Sequence, residues 1–552
     1  MDQSFAVKPD PSIGHYTRRQ RNLLLLTAAA SSSCGLAVEL LLGTLASYLV
    51  GNQALAYGVA VGGFLAAMGL GAYLSRFIAT RGNRHTQQHQ LQATFIWIEL
   101  AIAPLSALIP LGLFALFVMD GPFWIALFLA TAVLGTLAGM ELPVLTRLLE
   151  QDEGLKDALA GALALDYVGA LVGSLALPIV LLPLIGLFPS AVVIGAIPAF
   201  MVVALAGAFP SLRQWGRYGL MMGLLLLVLA PLMVPLGDRL ENSLYKAPVI
   251  TRVQSPYQRI VLTRRGSDVR LFLDGDLQFS TIDEYRYHEA LVHPALSANQ
   301  VLKQNTPSLS SPSSLSSPSS LSSPSSLPSP SLRILLLGAG DGMALREVLK
   351  WPDVARIVLV DLDKTVVNLA RRQPFLVKAN AGAYTDSRVE VMQGDAFTVV
   401  PGLNEEFDVM IADFPDPDRE AIAKLYAQGF YQRLLSRLAP NGVFVTQASS
   451  PFFAPKAFAC VVATLDSVGL KTYPYVVDVP SFGLWGFVLA TRSPLRPDQL
   501  VLPISTRFLN EPTLHNLFQL PKDIQLGNVE INRLAQPVIV RYQADPRWAA
   551  YD

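Results

Sequence analysis

Residues 412–418 read ADFPDPD and follow the apolar run FDVMI, so a strand that looks buried ends in two carboxylates, Asp413 and Asp416, three positions apart. Pro415 and Pro417 remove amide donors and stiffen the turn, which holds the two acids in place at a sheet edge. Carboxylates set that close repel each other unless a cation lies between them. The chemistry they suit is the holding of a cation. The other reading of such a pair is a set of loop caps.

A second group of residues suits a nucleoside. From Arg333 the chain reads RILLLGAGDGMALREVLKWPDVARIVLVDLD: a short apolar strand, a glycine-rich turn, an amphipathic helix and a second strand ending in acids. This is the opening of a doubly wound parallel sheet, with Gly338, Gly340 and Gly342 allowing a tight turn and close approach to a ligand. Asp361, about 20 residues on, is placed to accept from ribose hydroxyls. Asp341 inside the turn would repel a pyrophosphate and favours a ligand carrying positive charge, such as an adenosyl-sulfonium compound. A further strand, RVEVMQGDAF, ends in Asp395, which either accepts from an adenine amino group or caps the next helix.

These motifs occupy the C-terminal part of a 552-residue chain that is 52% hydrophobic, 15% charged and formally neutral, with a mean hydropathy of +0.40. Such a composition argues for two or more domains, one of them facing lipid, and against nucleic acid as a partner. Apolar runs at about 23–49, 54–75, 92–118, 123–146, 159–184, 188–208 and 217–236 are each near the ~20 residues a helix needs to cross a bilayer. Residues 1–22 then form a cytoplasmic tail and 23–236 a multi-pass domain of about seven spans.

Basic residues precede the first run (Arg18, Arg19, Arg21) and follow the second, fourth and sixth, which places the N-terminus in the cytoplasm. Seven spans would put the C-terminal half on the opposite side, whereas Arg239, Lys246 and Arg252 after the last run argue for the cytoplasm. The expectation is therefore a span count off by one. Glu39, Glu141 and Asp166 fall inside apolar runs, where they either line a path for a cation or help the helices pack. Small residues in GLGAYLS and GALVGSLALP favour close packing.

Between the halves, residues 301–332 carry consecutive copies of SSPSSL, a composition that builds no core and reads as an extended linker. Before it, 245–300 reads as a small β-domain: YQRIVL and VRLFLD alternate around RRGSD, and DGD makes a second turn. In the helix that follows, Thr281 and Glu284 have capping-box spacing. His288 and His293 lack the i,i+4 spacing of a metal face, and Cys34 and Cys460 form no metal or disulfide pattern, so no metal is expected.

The ordered series YQRI, LFLDGDLQFSTIDEYRYHEALVHPAL, GAGDG, GDAF, DFPDPD, LYAQGFY and SFGLWGFVLA resembles the polyamine aminopropyltransferases, specifically spermidine synthases, over about 250–545. The N-terminal half resembles the multi-pass domain carried by some bacterial members. The resemblance implies an all-α polytopic membrane domain, a small β-domain and a Rossmann-like, methyltransferase-type α/β domain over 333–552, in a dimer or tetramer at the cell membrane. It also implies aminopropyl transfer from decarboxylated S-adenosylmethionine, a co-substrate, to putrescine, giving spermidine and methylthioadenosine with no cofactor.

Carried over by motif, Gln258, His288, Asp341, Asp361, Asp395, Gly338 and Gly340 would meet the donor. Tyr287, Asp416, Gln278 and Gln447 would line the amine, with Asp413 as proton acceptor. Tyr426, Tyr431 and Trp485 are further candidates to wall the aliphatic amine. The chain departs from the family at Ala339, where a glycine is common, and at Asp361, where Glu is usual. The Ala339 change is tolerable if its backbone stays in an ordinary region. Two other readings compete: a membrane-tethered methyltransferase using ordinary S-adenosylmethionine, and a polyamine transporter or sensor whose soluble half only binds ligand.

Overall fold

The computed structural model describes residues 16–50, 53–80, 83–304 and 331–544. The SSPSSL repeat lies outside these residues. The chain divides into two units, Met1–Pro248 and Val249–Asp552.

The first unit is a bundle of seven helices long and apolar enough to cross a membrane: Arg18–Val50, Leu55–Ser75, Thr86–Val118, Phe123–Glu150, Leu155–Ile185, Leu187–Ala208 and Pro210–Leu244. Each apolar run read from the sequence falls on one of them, and there is no eighth of this kind among the described residues. Close helix contact depends on the small residues: a Cβ at Gly169 or Gly173 would lie 1.9 or 2.1 Å from the carbonyl oxygen of Ala29 or Ser33 on the first helix. Only a residue without a side chain fits there.

The second unit begins with a four-stranded antiparallel sheet in chain order: β1 (Val249–Gln254), β2 (Arg259–Arg265), β3 (Asp268–Leu273) and β4 (Asp276–Ser280). The turns are those the sequence predicts, at RRGSD and DGD. Asp274 and Gly275, with φ of 51° and 97°, make the two-residue link that matches strand twist. Thr281 does not cap the following helix. Its hydroxyl accepts from the Val269 amide at 2.9 Å and so extends the sheet edge, while the helix starts at Glu284.

Seven strands form the larger sheet: β5 (Leu332–Gly338), β6 (Val354–Asp361), β7 (Val389–Gln393), β8 (Phe407–Asp413), β9 (Leu438–Gln447), β10 (Lys471–Val479) and β11 (Gly483–Thr491), in the order β10-β11-β9-β8-β5-β6-β7. β5 to β9 are parallel to their neighbours in that set, and β11 runs antiparallel to β9 and β10. Both faces are covered, as continuous apolar strands require. Ile334 and Leu336 of β5 share a core with Leu291 and Leu296 of the helix Glu284–Gln304, while Leu335 and Leu337 point to the opposite core with Phe458 and Leu465 of the helix Pro455–Asp466.

The glycine-rich turn after β5 departs from expectation at Ala339, whose φ is 59°. That is the left-handed region, where a Cβ costs roughly 1–2 kcal/mol. Gly338 beside it has a φ of 76°, so the turn is left-handed at two successive residues and only one of them is glycine. Ala339→Gly should therefore raise stability by about 1 kcal/mol, read as a higher denaturation midpoint of the purified chain. An unchanged or lower midpoint would show that the turn carries no such strain.

Candidate active site

The chain leaves β5 toward β6 on one side and returns to β8 on the other, so the crevice between the carboxyl ends of β5 and β8 is the topological switch point where such sheets bind ligands. Gly338 and Asp413 are register partners across it. A Cβ at Gly338 would lie 2.3 Å from the Asp413 carbonyl oxygen, so the missing side chain lets the turn close directly on the acid-bearing strand end.

Beside it, Gly340 approaches Asp361 at the end of β6, where a Cβ would lie 2.4 Å from Oδ2. The turn is anchored from outside: the Tyr384 hydroxyl donates to the Gly340 carbonyl at 2.7 Å, and Asn380 donates to that of Asp341 at 3.1 Å. Asp341 itself accepts from the Met343 amide at 2.8 Å.

Three acids of the donor-side turn and strand ends, Asp341, Asp361 and Asp413, are thus gathered in a desolvated crevice. Burial, the largest influence, pushes the Asp361 carboxyl up to about 6. Burial does the same for Asp413, also to about 6, with the charge of Asp341 adding to it and His288 and the Tyr287 hydroxyl opposing it. Asp341 is raised too, by burial first, against the pull of His288 and its own bond to the Met343 amide.

His288 supplies the opposing charge. Its Nδ1 lies 2.8 Å from the Glu284 carbonyl oxygen and 2.9 Å from the Glu284 carboxylate, and both acceptors fix the proton on that nitrogen. Burial works against the imidazolium, but the hydrogen bond and charge of Glu284, then the charges of Asp341 and Asp413, outweigh it and raise His288 to about 9. Glu284 is in turn gripped through both oxygens by Arg346, at 2.9 Å each. The residue that looked like half of a capping box is instead the link between a half-buried arginine and a charged histidine.

On the other side of the crevice the Tyr287 hydroxyl donates to Asp413 Oδ1 at 2.7 Å. Asp416 accepts from Ser449 Oγ at 2.7 Å, Gln447 Nε2 at 3.2 Å and Gln543 Nε2 at 2.9 Å. Burial pushes it up to about 6 against the donors Ser449 and Gln447. The turn between the two acids is pinned through its carbonyls: Gln447 donates to Phe414 at 2.8 Å and the Tyr426 hydroxyl to Pro415 at 3.1 Å. Tyr287 packs on Phe482, Trp485 and Phe487, an aromatic wall next to Asp413.

The structure therefore brings together Gly338, Gly340, Asp341, Asp361, Tyr287, His288, Asp413, Asp416 and Gln447. Other candidates are engaged elsewhere. Gln258 donates to Asp363 at 3.1 Å, beside Asp361, and Gln278 donates to the Asp276 carbonyl at 3.2 Å. Asp395 caps the short helix Ala396–Val399 through the Phe397 amide and holds Lys424 at 2.5 Å, so both of its oxygens are occupied. Tyr431 is core, packed on Phe430 and Phe444. Sequence reading missed Ser449, Gln543 and Arg346. Only the fold places Gln543 beside Asp416, 127 residues away in the chain.

Among the described residues, Glu289, His293 and Glu347 are the one set close enough to hold a metal ion, with ligand atoms within 4.8 Å of one another. All of these groups are already bonded within the protein. Glu289 accepts from the amides of Arg507, Phe508 and Leu509, Trp351 donates to His293 Nδ1, and Glu347 faces His293 Nε2, Arg346 and Lys350. The cluster ties a late segment of the chain to the helix Glu284–Gln304.

Residues 320–498 match the spermine/spermidine synthase domain. Polyamine aminopropyltransferase 2 of Ralstonia nicotianae is 37% identical over 542 residues, 95% of this chain and 98% of its own. The chain belongs to the polyamine aminopropyltransferases. Polyamine aminopropyltransferase 1 of Streptomyces coelicolor is likewise 37% identical, over 573 residues that take in all of this chain and 99% of the relative. The family relation thus runs through the helical unit as well as the sheet. A spermidine synthase crystallised with the transition-state analogue AdoDATO aligns with 50% of this chain and 85% of its own, at 26% identity and a TM-score of 0.41.

In this aminopropyltransferase the Tyr287 hydroxyl favours ionised Asp413. Removing it with Tyr287→Phe leaves burial less opposed, so the carboxyl should hold its proton to higher pH. The acidic limb of the rate–pH profile should move up by about one unit. A limb that stays in place would show that Asp413 does not govern it.

Proposed function

We propose that the enzyme transfers the aminopropyl group of decarboxylated S-adenosylmethionine to putrescine, releasing spermidine and methylthioadenosine. The register contact of Gly338 with Asp413 supports this reading, because it sets the glycine-rich turn against the acid-bearing end of β8. The donor's ribose hydroxyls are held by Asp361, and its primary ammonium is drawn to Asp341. Gln258 supports the donor side through Asp363.

The sulfonium already activates the adjacent methylene, so the protein has to supply a neutral, aligned amine. Asp413 takes a proton from the amine nitrogen. The nitrogen lone pair attacks the methylene, the new C–N bond forms as the C–S bond breaks, and the electron pair stays on sulfur as a neutral thioether. General-base help of this kind is worth typically ~100-fold or more, and positioning adds its own large share. Asp416 receives the distal ammonium, with Gln447, Ser449 and Gln543 orienting its carboxylate. The Gln543 Oε1, buried and without a hydrogen-bond partner, is free to accept from the same nitrogen.

Seven long apolar helices support a membrane location for the first unit. We place the catalytic unit on the cytoplasmic side, as Lys246 and Arg252 after the last helix suggest; with seven spans this puts the N-terminus on the opposite side, against the reading from Arg18, Arg19 and Arg21. A C-terminal reporter read from the outer compartment would overturn that orientation. For the reaction, the purified chain with the decarboxylated donor and putrescine should release methylthioadenosine. Asp413→Asn should lower turnover by ~100-fold or more with little change in donor binding, and Asp361→Ala should chiefly weaken the donor. Turnover of the carboxylated donor alone would contradict the proposal.

A further inference from the structure

A second set of carboxyl groups lies inside the helical unit, far along the chain from the crevice acids. Glu99 on the helix Arg84–Val118 and Glu141 on the helix Phe123–Glu153 line the same small cavity, together with Ser31, Cys34 and Ser106. Glu99 is fully buried and Glu141 is 6% exposed. The Ser31 hydroxyl donates to Glu99 Oε1 at 2.5 Å, and Glu99 Oε2 is buried with no hydrogen-bond partner.

An unpartnered carboxylate oxygen beside a second buried carboxylate is a demanding arrangement. The effective cost of burying an ion is of order several kcal/mol even after relaxation. The titratable groups that act on the pair are Cys34 and Asp166, neither of which supplies positive charge, and no basic side chain among the described residues is paired with either glutamate. The site must therefore take up positive charge from outside.

Size decides which cation. The cavity is about 10 Å³, close to the least volume that holds a single water molecule. A diamine with its alkyl chain does not fit, and the closely packed glycines of the bundle leave the backbones little room to part. A third acid lies next to the pair. Half-buried Asp166 on the helix Leu155–Ala176 acts electrostatically on Glu141 and faces Ser32, while the adjacent Ser31 holds Glu99.

We propose that Glu99 and Glu141, with Ser31, form a proton-binding site in the helical unit that exchanges through Asp166. The helical unit then carries a cation site distinct from the amine site, and its ligand is the proton. Intramembrane carboxyl groups that face a bundle interior are a common means of handling protons.

Infrared spectroscopy of the full-length chain in lipid nanodiscs tests this in mildly alkaline buffer, where the crevice acids, which titrate near 6, are ionised. The wild type should show the carbonyl stretch of a protonated carboxyl group, shifted in heavy water. Ser31→Ala should move that band by removing the hydrogen bond to Glu99, and the double variant Glu99→Gln, Glu141→Gln should abolish it. Methylthioadenosine release should persist in both variants.

A band that is absent in the wild type, or unchanged in both variants, would overturn the proposal. So would its disappearance on adding sodium or potassium chloride alone, which would mark a metal-cation site. Failure of aminopropyl transfer in the wild type would count against the proposed reaction and leave the infrared result standing.

Discussion

The contact between Gly338 and Asp413 is the constraint on which the site depends. Two parallel strands that neighbour each other in the sheet, β5 and β8, meet there, and the absence of a side chain at Gly338 lets the glycine-rich turn lie against the strand that ends in the acid. A methyl group at that position would need to occupy the space of the Asp413 carbonyl oxygen. In the proposed reaction donor and acceptor are brought together by backbone geometry, before any side chain contributes. What the side chains add is charge of the right sign and a fixed direction.

That charge is held under tension. Asp361, Asp413 and Asp416 are half-buried, and desolvation pushes each up to about 6. Because their folded values lie above the ordinary carboxylate range, the stability they contribute is full below that range and lost as pH rises through about 6. His288, held charged by Glu284 and Arg346, offsets part of the repulsion. In the proposed reaction an ammonium offsets the rest, and the site is in this sense completed by its substrate.

Much of this was legible in the residues. The strand-turn-strand pattern around Gly338, the acids closing β6 and β8, both hairpin turns of the small sheet and the seven apolar helices all follow local rules of periodicity and turn chemistry. The failures have physical causes. Thr281 and Glu284 had the spacing of a cap, but tertiary partners claimed both: the β3 edge took Thr281, and His288 with Arg346 took Glu284. Ala339 gave no sign of its left-handed backbone, because nothing in an alanine side chain marks a positive φ. Gln543, Ser449 and Glu99 belong to sites only through contacts remote in sequence, and no spacing rule reaches that far.

The most direct test of the account is proton release on diamine binding. Calorimetric titration of putrescine into the purified chain near pH 6, repeated in buffers of different ionisation enthalpy, reports the protons exchanged. If Asp413 and Asp416 are partly protonated in the empty crevice and ionise to hold the amine, binding should expel protons and the affinity should rise with pH through about 6. Binding with no proton release, or with proton uptake, would contradict the account.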